Sequence, residues 1–421
     1  MVEQAHAAGL WDQAWRLAET LPVMFDWRAD WRAWDRTHHL ALDGARRAGA
    51  ALAEASILRS LGALYRELGR YEDAVRMLTQ AADIFHSRSD THGWATAMRN
   101  LGDTYRYQGR LDEAISTFAD ALDVFDEAAD VRSVAGALNG IADANRGLSR
   151  WDDARRHFAT CIAIYRDLDD RREQARATVR YAMVFRDQHL HQQAFPLLAD
   201  ALEVFREYGD RRWEARALRQ LAVLHRNAGD AHAALPLFHQ CMLIFKDLAD
   251  RRGAAVTHRN RGDAHRLAES YPDSAADLCT ALEIFSNIGD RRWEARTRLS
   301  LAGLHRRLKE YDEARCHATA AMDAFRVIPD RPAEGRALRE LGMLLRDAGD
   351  LSEARDAFLM SRSVFHTLGE DLWTARVVAG LARLDELDGA DPGPRSGDAA
   401  AICRRAGISS AAEIATVLRE W

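Results

Sequence analysis

The octapeptide Gly-Asp-Arg-Arg-Trp-Glu-Ala-Arg occupies Gly209–Arg216 and recurs letter for letter at Gly289–Arg296. Degenerate copies begin at Asp169 and Ala249, so the chain repeats itself every forty residues. Three columns show the register. One is small (Ala55, Ala95, Ala135, Ala175, Ala215, Ala255, Ala295, Gly335), and one is aromatic (Phe85, Phe125, Tyr165, Phe205, Phe245, Phe285, Phe325, Phe365). The third is acidic and closes each block: Asp90, Asp130, Asp170, Asp210, Asp250, Asp290, Asp330 and Glu370. A repeat of this length cannot bury its own apolar face, so the period demands a stacked array.

Within the first block, Leu58, Leu61, Gly62, Tyr65 and Leu68 follow helical spacing and stop at Gly69. Tyr71, Ala74, Leu78, Ala81, Ala82 and Phe85 make a second helical stripe, with Glu72 and Asp73 suited to its positive N-terminus. No strand-like alternation competes. The expected fold is an all-α superhelix of eight to nine helical hairpins. Small residues such as Gly62, Gly102 and Gly342 let helices approach closely, and Leu78, Phe118 and Phe358 fill the space beside them. The octapeptide reads as an inter-repeat joint: Gly209 in a left-handed turn, Asp210 as a cap, Trp213 and Ala215 opening the next packed face.

The ends differ from the middle. Residues 1–50 read as N-terminal helices of an incomplete repeat, with Trp11 onward resembling a second helix without its first. Residues 51–370 hold eight repeats, 371–388 a capping helix, 389–397 a linker, and 398–421 short helices. The last of these is expected to start at a capping box of Ser410 and Glu413.

The run Leu58, Leu61, Gly62, Tyr65, Gly69, Tyr71, Ala74, Leu78, Ala81 resembles the tetratricopeptide repeat signature, and the match recurs across 51–370. Two departures are a period of forty rather than the family's usual thirty-four and His86, Asp126 and Arg166 near the place of a terminal proline. Repeat six is the poorest match, with Arg261 in the Leu61 column and Ser274 in the Ala74 column. The stretch from Trp27 to Ala74 is also similar to the sensor regions of actinobacterial signalling ATPases of the STAND/NB-ARC type, including antibiotic-regulatory activators. That resemblance implies a regulatory arm whose nucleotide-binding switch, and control of transcription, lie upstream.

A net charge of −6 gives no global attraction to nucleic acid or anionic membranes. No apolar run has membrane-spanning length and no signal-peptide core opens the chain, so a cytoplasmic protein is expected. The five cysteines are scattered, with Cys161 and Cys241 in a packed column. Neither lysine, Lys246 nor Lys309, follows a glycine, so no phosphate-binding Gly-Lys-Ser/Thr loop exists. His225, His265 and His305 share the Tyr65 packing column. No catalytic residue, metal site or cofactor is expected, and the chain reads as a non-enzyme.

Two columns ask for a function. Arg66, Arg106, Arg146, Arg186, Arg226, Arg266, Arg306 and Arg346 fill one place in all eight repeats. Seven residues earlier stand Arg59, Arg99, Arg219, Arg259 and Arg339, on the same face of the first helix. By resemblance to the family, that face lines the concave side of the superhelix. Ion-pair ladders with acids such as Asp103, Asp143 and Asp263 are one role, and a groove for an acidic peptide or protein partner is the other. A free-standing scaffold and, less readily, nucleic-acid binding are the alternative functions. Trp27, Trp31 and Trp34, spaced four and three apart, form a stripe expected to dock an upstream domain unless the first hairpin buries it.

Overall fold

The structure is a computed structural model describing residues 1–28, 30–328, 330–408 and 411–418, except the side chains of residues 26–28, 412, 413 and 416. Among the described residues there are twenty-three helices and no strand. From Ala51–Glu67 and Tyr71–Ser87 to Arg331–Ala348 and Leu351–Thr367, eight hairpins follow one another, and Asp371–Leu387 caps the last. Each packs on the next through the small columns. Phe118, fully buried, lies between the Gly102 and Gly140 backbones of consecutive first helices.

The joints explain the regularity. Gly209 sits at φ +64°, and the Asp210 amide donates back to the Phe205 carbonyl at 2.8 Å, satisfying a terminal carbonyl of the preceding helix. The Asp210 carboxylate then accepts the Trp213 amide at 3.3 Å, as expected of a cap. The same left-handed step is taken by Ser89, Ala129, Asp169 and Ala249 where no glycine is present. Such residues are strained by roughly 1–2 kcal/mol each, so stacking of the hairpins must hold them there.

The ends require two corrections. Trp11–Glu19 takes the register of a first helix, not a second: it begins forty residues before Ala51–Glu67 and packs on that helix, and Pro22–Arg28 follows it as a separate helix. Trp31–Arg47 is its second helix. The linker expected at 389–397 is shorter: Gly393–Arg405 is helical, with Pro394 in its first turn and Asp391 accepting the Gly393 amide at 2.9 Å. Ser410 and the Glu413 side chain, proposed as a capping box, lie outside the described residues. In repeat six, Arg261 turns to Asp277 at 2.6 Å instead of entering the core.

The superhelix also closes on itself. The Arg212 guanidinium spans to Glu67 at 2.6 Å and lies over the Trp31 ring at 5.0 Å. Arg252 donates to the Tyr71 hydroxyl at 3.1 Å, and Tyr71 in turn donates to Asp290 at 3.4 Å. Arg292 donates to the Tyr107 carbonyl at 3.1 Å, and Ser149 bonds Glu370. These contacts join hairpin turns of the first three repeats to helix starts four or five repeats later.

Candidate ligand cavity

Closure shapes a partly open cavity of about 800 Å³. Sixteen arginines line it against eight aspartates and glutamates, so its walls are strongly cationic although the whole chain is anionic. The first arginine column supplies much of this wall, and its pairing shows where charge is left over. Arg106 bridges Asp143 of the next repeat at 2.6 Å and Asp103 at 2.9 Å, and Arg146 bridges Asp187 at 2.5 Å and Asp143 at 2.8 Å. Burial pushes Asp143 up, yet Arg146 and Arg106 outweigh it and hold the carboxyl below its ordinary range.

This ladder lapses in the middle of the array. The column holding Asp103 and Asp143 continues with Met183 and Val223 before acid returns at Asp263, and both apolar residues line the cavity. Arg186 therefore pairs with Asp187 of its own helix at 2.5 Å and reaches Gln220 in the next repeat, while Arg226 donates to Asn227 at 3.0 Å, Asn260 at 3.2 Å and Asp263 at 3.4 Å. With too little countercharge, burial dominates and lowers Arg219 and Arg226 to about 10. Among the described residues, the buried Nε atoms of Arg106, Arg266 and Arg296 have no acceptor. Guanidinium donors left this way favour an anionic guest.

The tetratricopeptide repeat family pattern matches residues 53–127, 93–167, 131–207, 173–247, 213–287, 253–326 and 293–365. The chain belongs to the tetratricopeptide repeat family. No curated protein matches its sequence. Among solved structures, it is similar to a Rap protein complexed with competence and sporulation factor (TM-score 0.64, 13% identity, covering 86% of this chain and 99% of that one). It is also similar to the Rap conjugation gene regulator of plasmid pLS20 in complex with the Phr* peptide (0.59, 12%, 83% and 96%). A third is aspartyl phosphate phosphatase F from Bacillus subtilis (0.53, 14%, 68% and 75%). At these identities the likeness establishes the fold.

Of the thirteen arginines singled out in the sequence, Arg106, Arg146, Arg186, Arg219, Arg226, Arg259 and Arg266 line the tetratricopeptide cavity. Arg59, Arg66, Arg99, Arg306, Arg339 and Arg346 do not. Arg66 joins Glu67 and Asp103, Arg306 bridges Glu340 and Asp347, both at 2.8 Å, and Arg346 pairs with Asp347. Trp34 is buried, donates to Ser60 at 2.9 Å and packs on Phe25, while Trp31 is covered by Arg212. The Trp27 side chain lies outside the described residues.

Two arginine columns escaped the sequence reading, although the repeated octapeptide spells both. Its second arginine recurs as Arg132, Arg172, Arg212, Arg252 and Arg292. Each bonds the capping aspartate of the next repeat, as Arg172 does with Asp210 at 2.7 Å and Arg292 with Asp330 at 2.8 Å. One carboxylate oxygen caps a helix and the other receives the arginine, as at Asp210. The final arginine recurs as Arg176, Arg216, Arg296, Arg336 and Arg376, all but the first lining the cavity. Burial lowers Arg296 and Arg376 to about 9.

Among the described residues no group of His, Cys, Asp or Glu has metal-holding geometry, and no helix is long and apolar enough to cross a membrane.

Proposed function

We propose that this chain is a non-enzymatic recognition module, acting in the cytoplasm, that holds an acidic segment of a protein or peptide partner in its arginine-lined cavity. The observation that carries this reading is the excess of guanidinium over carboxylate where Met183 and Val223 interrupt the ladder. Two solved relatives of the fold are described as complexes with a peptide or a factor, which supports a ligand of that size. The similarity of the N-terminal stretch to sensor arms of signalling ATPases supports a regulatory setting, in which capture is relayed to a nucleotide-binding switch.

The test is binding of a labelled acidic peptide over a salt series, with Arg186, Arg226 and Arg266 replaced together. Affinity should fall steeply with salt, and triple glutamine replacement should weaken it at least a hundredfold. Triple lysine replacement should restore only part, because lysine lacks the two-pronged bond to carboxylate. Unchanged binding with lowered thermal stability would make these arginines structural ladders alone. Full rescue by lysine together with tight duplex DNA binding at physiological salt would move the reading to nucleic acid.

A further inference from the structure

Three tryptophans, Trp213, Trp293 and Trp373, stand eighty residues apart, in alternate repeats, and all face the cavity. Each is flanked by guanidiniums: Arg180 at 5.7 Å and Arg216 at 4.9 Å for Trp213, Arg296 at 5.3 Å for Trp293, Arg336 at 5.6 Å and Arg376 at 4.7 Å for Trp373. Stacking on an aromatic face orients a guanidinium and leaves its edge N–H groups for a planar acceptor. Among the described residues Arg180 and Arg336 have no carboxylate in ion-pair range; beyond their ring contacts, Arg180 acts at longer range on Asp103 and Asp143, and Arg336 on Asp330 and Glu370.

Two of these clusters already hold a carboxylate of the chain: Arg296 beside Trp293 pairs with Asp330 at 2.7 Å, and the Trp213 cluster receives one from across the superhelix. Glu67 reaches across the superhelix to put Oε2 2.6 Å from Arg212 and 3.7 Å from Arg216. Burial pushes Glu67 up, but Arg212, Arg66 and Arg216 prevail and keep it ionised. A carboxylate is therefore chemically suited to this place.

We propose that the Trp213, Trp293 and Trp373 clusters are three carboxylate subsites for one extended acidic peptide, and that a ligand carboxylate displaces Glu67 from the first. This rests on the reading of the cavity as an acidic-ligand site. It goes further by naming the subsites, an internal competitor and the coupling of binding to the closing contact. The tryptophan rings favour peptide over nucleic acid. Each packs on a phenylalanine (Phe205, Phe285 or Phe365) at 5.4–5.8 Å and on arginine besides, which leaves no open ring face for a base. A volume of about 800 Å³ suits a short peptide and excludes a duplex or a folded domain.

The probe is fluorescently labelled hexaglutamate, titrated into the full chain by anisotropy, with thermal melts run on each variant. Arg180→Gln and Arg336→Gln should each weaken binding about tenfold, as loss of a charge-assisted hydrogen bond implies. Arg132→Gln, in the exposed part of the joint ladder, should leave it unchanged. Glu67→Gln should tighten it several-fold by weakening the competitor. In the wild-type chain, saturation with peptide should raise amide hydrogen exchange at the joint around Gly69, a readout independent of any variant. If wild-type binds but Arg180→Gln and Arg336→Gln bind equally well, the subsites are wrong while the acidic-ligand reading stands. If Glu67→Gln binds no tighter and exchange at the joint is unmoved, displacement is wrong. No binding to wild-type at millimolar peptide and low salt overturns both the subsites and the functional reading beneath them.

Discussion

Gly136 and Gly140 lie one turn apart in the same first helix, and alanine should act on them with opposite sign. A Cβ added at Gly140 would sit 2.4 Å, 2.5 Å and 2.7 Å from three atoms of the Phe118 ring. Carbon atoms prefer about 3.5–4.0 Å, so the ring must retreat by at least 1 Å. It has nowhere to go, because a Cβ position on Gly102 is already 3.0 Å from its other edge and Phe118 is fully buried. Overpacking of this kind costs about 1–3 kcal/mol, against a helix-propensity gain of about 1 kcal/mol. Gly140→Ala should therefore destabilise by up to about 2 kcal/mol. At Gly136 the nearest atom is the end of Arg99, 3.0 Å away, which can swing aside. Gly136→Ala should then stabilise by up to about 1 kcal/mol. Urea unfolding followed by circular dichroism at 222 nm reads both, and Phe118→Leu should recover most of the Gly140→Ala loss. Equal shifts of one sign would refute close backbone approach as the basis of stacking.

Ala129→Gly and Ala249→Gly, at φ +53° and +51°, should each raise stability by up to about 1 kcal/mol in the same assay, since glycine relieves the left-handed strain. Glu370, raised by burial to about 7 in the folded chain, contributes most at low pH and loses that contribution as pH rises from about 4.5 through 7. Glu370→Gln should flatten this fall and stabilise the chain at pH 8 by roughly 3 kcal/mol at most, read from unfolding midpoints across pH. Asp143 and Asp330 act in the opposite sense. Their arginine partners lower both, so their contribution is present above about pH 4 and lost in acid. Arg212→Met removes the guanidinium held by Glu67 and Asp250 and should enlarge the radius of gyration in small-angle X-ray scattering. An unchanged radius would deny these residues a part in closing the superhelix.

The hairpins were legible because their core positions tolerate few residue types. Only small residues fit where Gly102 meets Phe118, so the columns repeat visibly. The joints were less legible: Ala129 and Asp169 take a glycine-like conformation that neighbouring hairpins impose. The first arginine column was visible, but which members are short of countercharge depends on the acid missing at Met183 and Val223. That gap becomes meaningful only once Arg146 and Asp187 of the next repeat are seen to meet. Closure left no periodic trace, because Glu67 and Arg212 meet through the pitch of the superhelix rather than through repeat spacing. For the same reason the Trp31–Trp34 stripe looked available for docking, although Arg212 and the first hairpin occupy it.

The most direct measurement is a crystal structure of the chain grown with an acidic hexapeptide. The peptide should lie inside the cavity between Trp213 and Trp373, with carboxylates on Arg180 and Arg336 and Glu67 turned away from Arg216. Peptide bound to the outer face of the second helices, or an empty cavity at saturating peptide, would contradict recognition by the cavity's arginine wall.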